Sequence, residues 1–288
     1  MAYEPNRDAD FKLSDGRRIA YCEWGAPEGR PILLCHGSPG SRLFGPDSRT
    51  TAEADVRLIT VDRPGYGRSD PKPDRQILDW PADVEELTSA LGVAQFDVAG
   101  SSSGGPYALA CAYRLPGRVQ RVALVSCVAP IDEPPSQQHD TVDPTTGAHQ
   151  DLVRAAEEIA ESAAWLVENP ERFFELPRPE SDAHLMTDPA IRTMLLKTLR
   201  ETARQGLGPY GWDCALELQP WGFALGDIST DVWIFHGEQD RLVPPSAARA
   251  LAGALPSSHL RLFPDAGHGL LLGAWRSILE DFQSRPSF

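Results

Sequence analysis

The sequence predicts an α/β fold: a mainly parallel sheet with helices on both faces and a helical insertion. Three observations predict it. Short apolar runs alternate with helix-spaced segments up to about residue 130. That is the pattern of parallel strands joined by crossover helices. From about 130 to 229 no convincing strand signal occurs, and beyond that point strand and helix alternate again.

The elements follow in order. Phe11–Leu13 and Arg18–Trp24 flank Ser14-Asp15-Gly16, a turn signal, and read as a hairpin. Pro31–Cys35 is a short apolar run ending in the loop HGSPGS. Val56–Asp62 is β-rich and ends in RPGYGRSD, another Gly/Pro loop. Within Leu78–Leu91, Trp80, Val84, Leu87 and Leu91 share one helical face opposite acids. Pro81 sits near that helix's start, where a proline is tolerated. Phe96–Gly100 reads as a strand, Gly104–Leu115 as an Ala/Leu-rich helix and Arg121–Ser126 as a strand. Asp132–Gly147 is rich in Pro, Thr and Asp and reads as a mobile connection. Asp151–Glu168, Pro170–Leu176 and Ile191–Gln205 follow as helical segments. Then come a strand at Asp231–Gly237, a helix at Ser246–Leu255, a strand at His259–Phe263 and a last helix at about Leu270–Ser284. The implied organisation is a core of residues 1–130 and 228–288 and a helical cap of 131–227.

Composition bounds the function. The 288 residues are 41% hydrophobic and 24% charged, an ordinary globular balance with length for a large core. The net charge of −14 argues against nucleic acid or an anionic membrane as the main partner. No stretch approaches the ~18 apolar residues of a membrane span, and the polar start MAYEPNRDADFKLSDG lacks the apolar centre of a signal peptide. A cytoplasmic protein is expected. Cys22, Cys35, Cys111, Cys127 and Cys214 are an odd set without paired spacing, so they read as buried free thiols. No Cys/His cluster has zinc spacing, so no metal is expected.

In open α/β sheets, ligands bind at the carboxyl ends of the strands. Four loops there carry chemistry. Gly100-Ser101-Ser102-Ser103-Gly104 fits G-x-S-x-G, with a strand before it and a helix after it. That context is a turn that lifts the middle serine, Ser102, above the sheet as a nucleophile. Ser103 is placed to offer its backbone N–H to an oxyanion at the helix start. As a bare pattern the motif also fits an ordinary Gly/Ser turn with an N-cap serine. His36-Gly37-Ser38-Pro39-Gly40 follows an apolar strand, and a second oxyanion N–H comes from such an early loop, with Ser38 the candidate donor. Asp240 lies in HGEQDRLVP and His268 in DAGHG, each after a strand. The chain order Ser102, Asp240, His268 differs from the orders of the two main serine protease folds.

Taken together, HGSPGSR, DRPGYGRSD, GSSSGGPYALA, HGEQDRLVP and DAGHG resemble the α/β-hydrolases of the prolyl-aminopeptidase/esterase-like branch. The resemblance implies an eight-stranded sheet, a helical cap after the sixth strand and a Ser-His-Asp triad. Two departures count against aminopeptidase activity and leave the hydrolase reading intact. Iminopeptidases of this kind carry HGGPG where Ser38 stands here, and usually Trp where Ser103 stands. Members that displace halide or open epoxides need a carboxylate nucleophile, which Ser102 is not.

The expected chemistry is acyl transfer to water from a small-molecule ester, or less readily an amide, with no metal or organic cofactor. An aminopeptidase, a lyase or acyltransferase on the same site, and a ligand-binding protein that keeps the fold are the alternatives. Asp132, just past the sixth strand, is a competing triad acid. His36 and His236 read as structural. Trp165, Tyr210, Trp212 and Trp221, with Phe173, Phe174, Leu185 and Met186, are available to line a substrate pocket. Aromatics at helical spacing are more often core. Glu157, Glu158, Glu161, Glu175 and Glu217 could meet a substrate ammonium, but glutamates on helix faces are more often solvated. A homodimer through cap surfaces is compatible with the sequence, which shows none.

Overall fold

The structure is a computed structural model and describes residues 3–130 and 147–284. Eight strands form one sheet: β1 (Arg7–Lys12), β2 (Arg18–Gly25), β3 (Arg30–Cys35), β4 (Val56–Val61), β5 (Phe96–Ser101), β6 (Val119–Val125), β7 (Val232–Gly237) and β8 (Ser258–Phe263). Their order across the sheet is β1-β2-β4-β3-β5-β6-β7-β8. β2 pairs antiparallel with both its neighbours, and every pairing from β4 to β8 is parallel. The carboxyl ends of β3, β5, β7 and β8 therefore share one edge, where the four loops meet.

The strands read as continuous apolar runs because both faces are covered. Alternate residues feed two cores. Leu33, Val98, Val122, Leu124 and Ile234 face one, with helices α2 (Trp80–Ala90), α3 (Gly105–Arg114) and α9 (Pro245–Ala254). Ile32, Leu34, Ala99, Ala123, Val125 and Phe235 face the other, with α10 (Leu270–Gly273) and α11 (Trp275–Gln283). On α11, Trp275, Ile278, Leu279 and Phe282 lie one turn apart and bury a single stripe.

Among the described residues, five α-helices lie between β6 and β7: α4 (Gly147–Ser162), α5 (Trp165–Glu168), α6 (Glu180–Leu185), α7 (Pro189–Thr202) and α8 (Gly208–Glu217). No strand of the sheet falls in described residues 147–231, as the sequence indicates. The putting-down of α4 and α8 onto the first core uses Leu152, Ala156, Ala215 and Leu216. The insertion also has small cores of its own, one around Met186, Ile191, Met194 and Leu195.

Several boundaries differ from expectation. The helix expected from Gly104 begins as a 3-10 turn, Ser102–Gly104, with α3 starting at Gly105. The helix expected over Asp151–Glu168 ends at Ser162 and resumes at Trp165. The single last helix is two, broken at Ala274, whose φ of −126° is not helical. α1 (Ser48–Glu53) was not expected; Asp47 caps it by accepting from Arg49 and Thr50 N–H. The Asp132–Gly147 connection falls outside the described residues up to 146. Cys22, Cys35, Cys111 and Cys127 are buried free thiols as expected, and Cys214 is half-buried. No helix among the described residues is long and apolar enough to cross a membrane.

Candidate active site

Ser102 sits at the tip of the turn between β5 and α3 with φ of +54°, a left-handed conformation that a residue with a Cβ adopts at a cost. The flanking glycines make that turn possible. A Cβ on Gly100 would lie 2.7 Å from the Gly104 carbonyl oxygen, and one on Gly104 would lie 2.0 Å from that of Cys35. The G-x-S-x-G spacing is thus a packing requirement of strand against helix.

Three side chains from three loops line up. His268 Nε2 lies 3.1 Å from Ser102 Oγ, and its Nδ1 lies 2.8 Å from Asp240 Oδ2. A carboxylate only accepts, so Nδ1 carries the proton and Nε2 is free to accept from the serine. Asp240 is held in turn: its Oδ1 accepts from the N–H groups of Leu242 and Val243, both at 2.9 Å. Burial pushes its pKa up, but the His268 bond and charge and those two N–H groups outweigh it and hold the carboxyl below its usual value. His236 is a support, as expected. Its Nε2–H donates to Val243 O at 2.9 Å behind Asp240, and burial lowers its pKa. Asp132 lies outside the described residues.

Ser38 stands on the loop after β3 and Ser103 directly follows Ser102. Among the described residues, neither backbone N–H donates to a backbone acceptor outside the helices and strands. The loop of Ser38 is fixed by Arg63, whose own Gly/Pro loop gives no hint of this role. Arg63 is fully buried and donates to the His36 carbonyl and to Ser38 Oγ, the latter at 3.0 Å. It pairs with Asp213 of α8 at 2.7 Å and lies over the rings of Tyr66 and Tyr107. Arg75 pairs with the second oxygen of the same aspartate. Burial opposes ionisation of Asp213, but Arg75 and Arg63 overcome it and lower its pKa. His36 accepts the Arg63 N–H, and burial and that cation keep it neutral.

Four residues along α8, Glu217 is treated differently. Its Oε2 accepts from Ser103 Oγ at 3.0 Å, and its Oε1 is buried without a partner. Burial pushes its pKa to about 8, against the smaller effects of the Ser103 bond and Arg63. It is neither solvated nor on the cavity wall.

A cavity lies between the strand-end loops and the inserted helices. Ser102, His268, Gly37 and Ser38 form its floor, and Phe173, Met186, Leu195 and Leu199 are among the apolar side chains of its roof. Of the aromatics proposed for a pocket, Trp165, Tyr210, Trp212 and Trp221 do not line it. Trp221 is buried in the first core, and Trp212 donates its Nε1–H to Arg75 O. Trp165 and Tyr210 pack around Leu166 and Leu199. Trp221 is thus buried, and Trp165, Tyr210 and Trp212 are half-buried against neighbouring elements. Asp182, which the sequence reading did not single out, does line the cavity; its Oδ1 accepts from the Gly269 N–H at 3.1 Å. No group of three or more metal-ligating side chains occurs among the described residues.

Known proteins share the fold. The chain is 27% identical to a non-heme chloroperoxidase of Streptomyces lividans over 265 residues, 90% of this chain and 92% of that protein. It is 33% identical to a proline iminopeptidase of Xylella fastidiosa over 115 residues, 39% of this chain and 37% of that one. Among solved structures, a hydrolase from Pseudomonas aeruginosa superposes with a TM-score of 0.72 at 20% identity, covering 98% of this chain and all of that one. An enol-lactonase from Burkholderia xenovorans superposes with a TM-score of 0.68 at 21% identity, covering 96% of this chain and all of the other. Residues 30–274 match the alpha/beta hydrolase fold family, and the chain belongs to that family of enzymes.

Proposed function

We propose that this hydrolase cleaves a small carboxylic ester through an acyl-enzyme on Ser102. The observation that carries the reading is the unbroken Ser102–His268–Asp240 relay opening onto an apolar cavity. His268 Nε2 takes the hydroxyl proton as Ser102 Oγ attacks the ester carbonyl. Asp240 keeps the other proton on Nδ1 and stabilises the imidazolium. The N–H groups of Ser38 and Ser103 hold the oxyanion, and losing one such donor costs about 3 kcal/mol of barrier. His268 then protonates the departing alcohol. Water gives its proton to His268 and attacks the acyl carbonyl; His268 returns that proton to the departing Ser102 Oγ, and the acid is released. Residues 131–227 act as the cap over a core of 1–130 and 228–288.

Wall chemistry favours an ester over an N-terminal peptide bond. Apart from His268, the ionisable residues on the wall are Asp182, Arg178 and Arg241. Asp182 is engaged with a backbone N–H, and two guanidinium groups repel an ammonium. The iminopeptidase likeness covers less than half of either chain.

Intact-mass analysis after exposure to a fluorophosphonate tests the reading. One adduct is expected on the wild type and none on Ser102→Ala, followed by turnover of esters in preference to prolyl amides. Folded protein that takes no adduct and turns over no ester would overturn it. Release of free acid in water separates hydrolysis from acyl transfer.

A further inference from the structure

Two arginines stand on the cavity wall without a carboxylate partner. Arg178 is half-buried and forms no ion pair among the described residues. Its Nε–H donates to the Leu176 carbonyl at 3.1 Å, and one Nη2–H donates to that of Phe173. A guanidinium has five N–H donors. Two are used, so three have no acceptor in the protein, and none of its nitrogens is buried without a partner. The two on Nη1, which is neither bonded nor buried, therefore reach accessible space, while the guanidinium lies 5.1 Å from the Phe173 ring centroid. Arg241 directly follows the aspartate of the relay, is exposed, and has no hydrogen bond or ion pair among the described residues.

Placement adds to this. The lining residues that are exposed are Leu176, Pro177, Arg241 and Leu242. Leu242 is 71% exposed. The cavity therefore opens between the segment around Arg178 and the turn carrying Arg241. Burying a cation without a partner is costly, and burial lowers the pKa of Arg178 despite the opposing charge of Asp182. Asp182 points one oxygen at the Gly269 N–H instead. A chain with 41 acids and 27 bases presents, at this mouth, two open guanidinium groups. Planar forks with free donors match carboxylates.

We infer that the substrate carries a carboxylate, bound at the cavity mouth by Arg178 and Arg241, while its apolar part reaches in to Ser102. The inference rests on the ester-hydrolase reading. It narrows the substrate class to esters with a free acid on the portion farther from the scissile bond.

Matched ester pairs test it. One pair places the charge on the acyl side: para-nitrophenyl hydrogen glutarate against its methyl ester. The other places it on the alcohol side: para-carboxyphenyl butyrate against its methyl ester. In at least one pair the anion should exceed the neutral ester in kcat/KM by about tenfold or more, the size of a charged hydrogen-bonded contact. That ratio should collapse in Arg241→Gln and Arg178→Gln and largely survive in Arg178→Lys. Arg241 is exposed, so its variant keeps the test alive if Arg178→Gln fails to fold. No preference for the anion in either pair, or a preference that survives both glutamine variants, overturns the inference while leaving the hydrolase reading in place. Turnover of no ester by folded wild type overturns both.

Discussion

The floor and the roof of the cavity are built on different principles. On the floor, the polar side chains are chained together and tied at their ends to backbone or to a buried ion. Two N–H groups hold Asp240, and Arg63 holds the Ser38 loop. The roof is mostly apolar side chains from the inserted helices, anchored at its edges by charge: Asp213 on Arg63, and Glu201 on Arg42 at 2.5 Å. Bond-making needs positions held to a fraction of an ångström, and short hydrogen bonds to rigid strand ends supply that. A roof that only has to exclude water and fit a shape can be made of packing.

The largest expected effect breaks the floor. Asp240→Asn keeps the shape and removes the charge that fixes the imidazole tautomer, so kcat on an ester should fall by about 10⁴. Single-turnover rates would measure it; a loss under about tenfold would move the triad acid elsewhere, with Asp132 the next candidate.

Next in size is the edge where roof meets floor. Asp213→Ala leaves Arg63 and Arg75 buried without their carboxylate. Removing one partner of a buried pair costs about 3–5 kcal/mol, roughly 10 °C in melting temperature for a chain of this size. Calorimetry would show it, and a drop under about 2 °C would mean that the edge is not held by charge.

Glu217→Gln sharpens the contrast with an effect that is small at each pH unit and adds up only across a window of pH. The glutamate's pKa is about 8 when folded against 4.5 unperturbed. Between those values the folded chain binds the extra proton. Its stabilising share is complete below the lower value and is lost as pH rises through the upper one, at up to about 1.4 kcal/mol per pH unit. Melting temperature should therefore decline across this window in the wild type and decline less in the glutamine variant. Equal declines in both would place the titration on another group.

Legibility in the sequence divides along the same line. Ser102, Asp240 and His268 each follow a strand directly, so local sequence specifies where they stand. The mainly parallel sheet and its two covered faces follow from the same apolar runs, but the strand order does not, because pairing partners lie far apart in the chain. Arg63 and Asp213 each carry a local signal, a charge set at the end of an apolar run or one turn inside an apolar helix, but the signal does not name a partner. What each meets is 150 residues away in the chain. Trp165, Tyr210, Trp212 and Trp221 announce burial through their spacing, but not which neighbour buries them. The break at Ala274 has no proline to mark it.

The left-handed backbone at Ser102 has an evolutionary consequence. A residue held there costs about 1–3 kcal/mol that glycine would not. A lineage that kept this fold only to hold a ligand would gain stability by the single change to glycine, losing nothing it used.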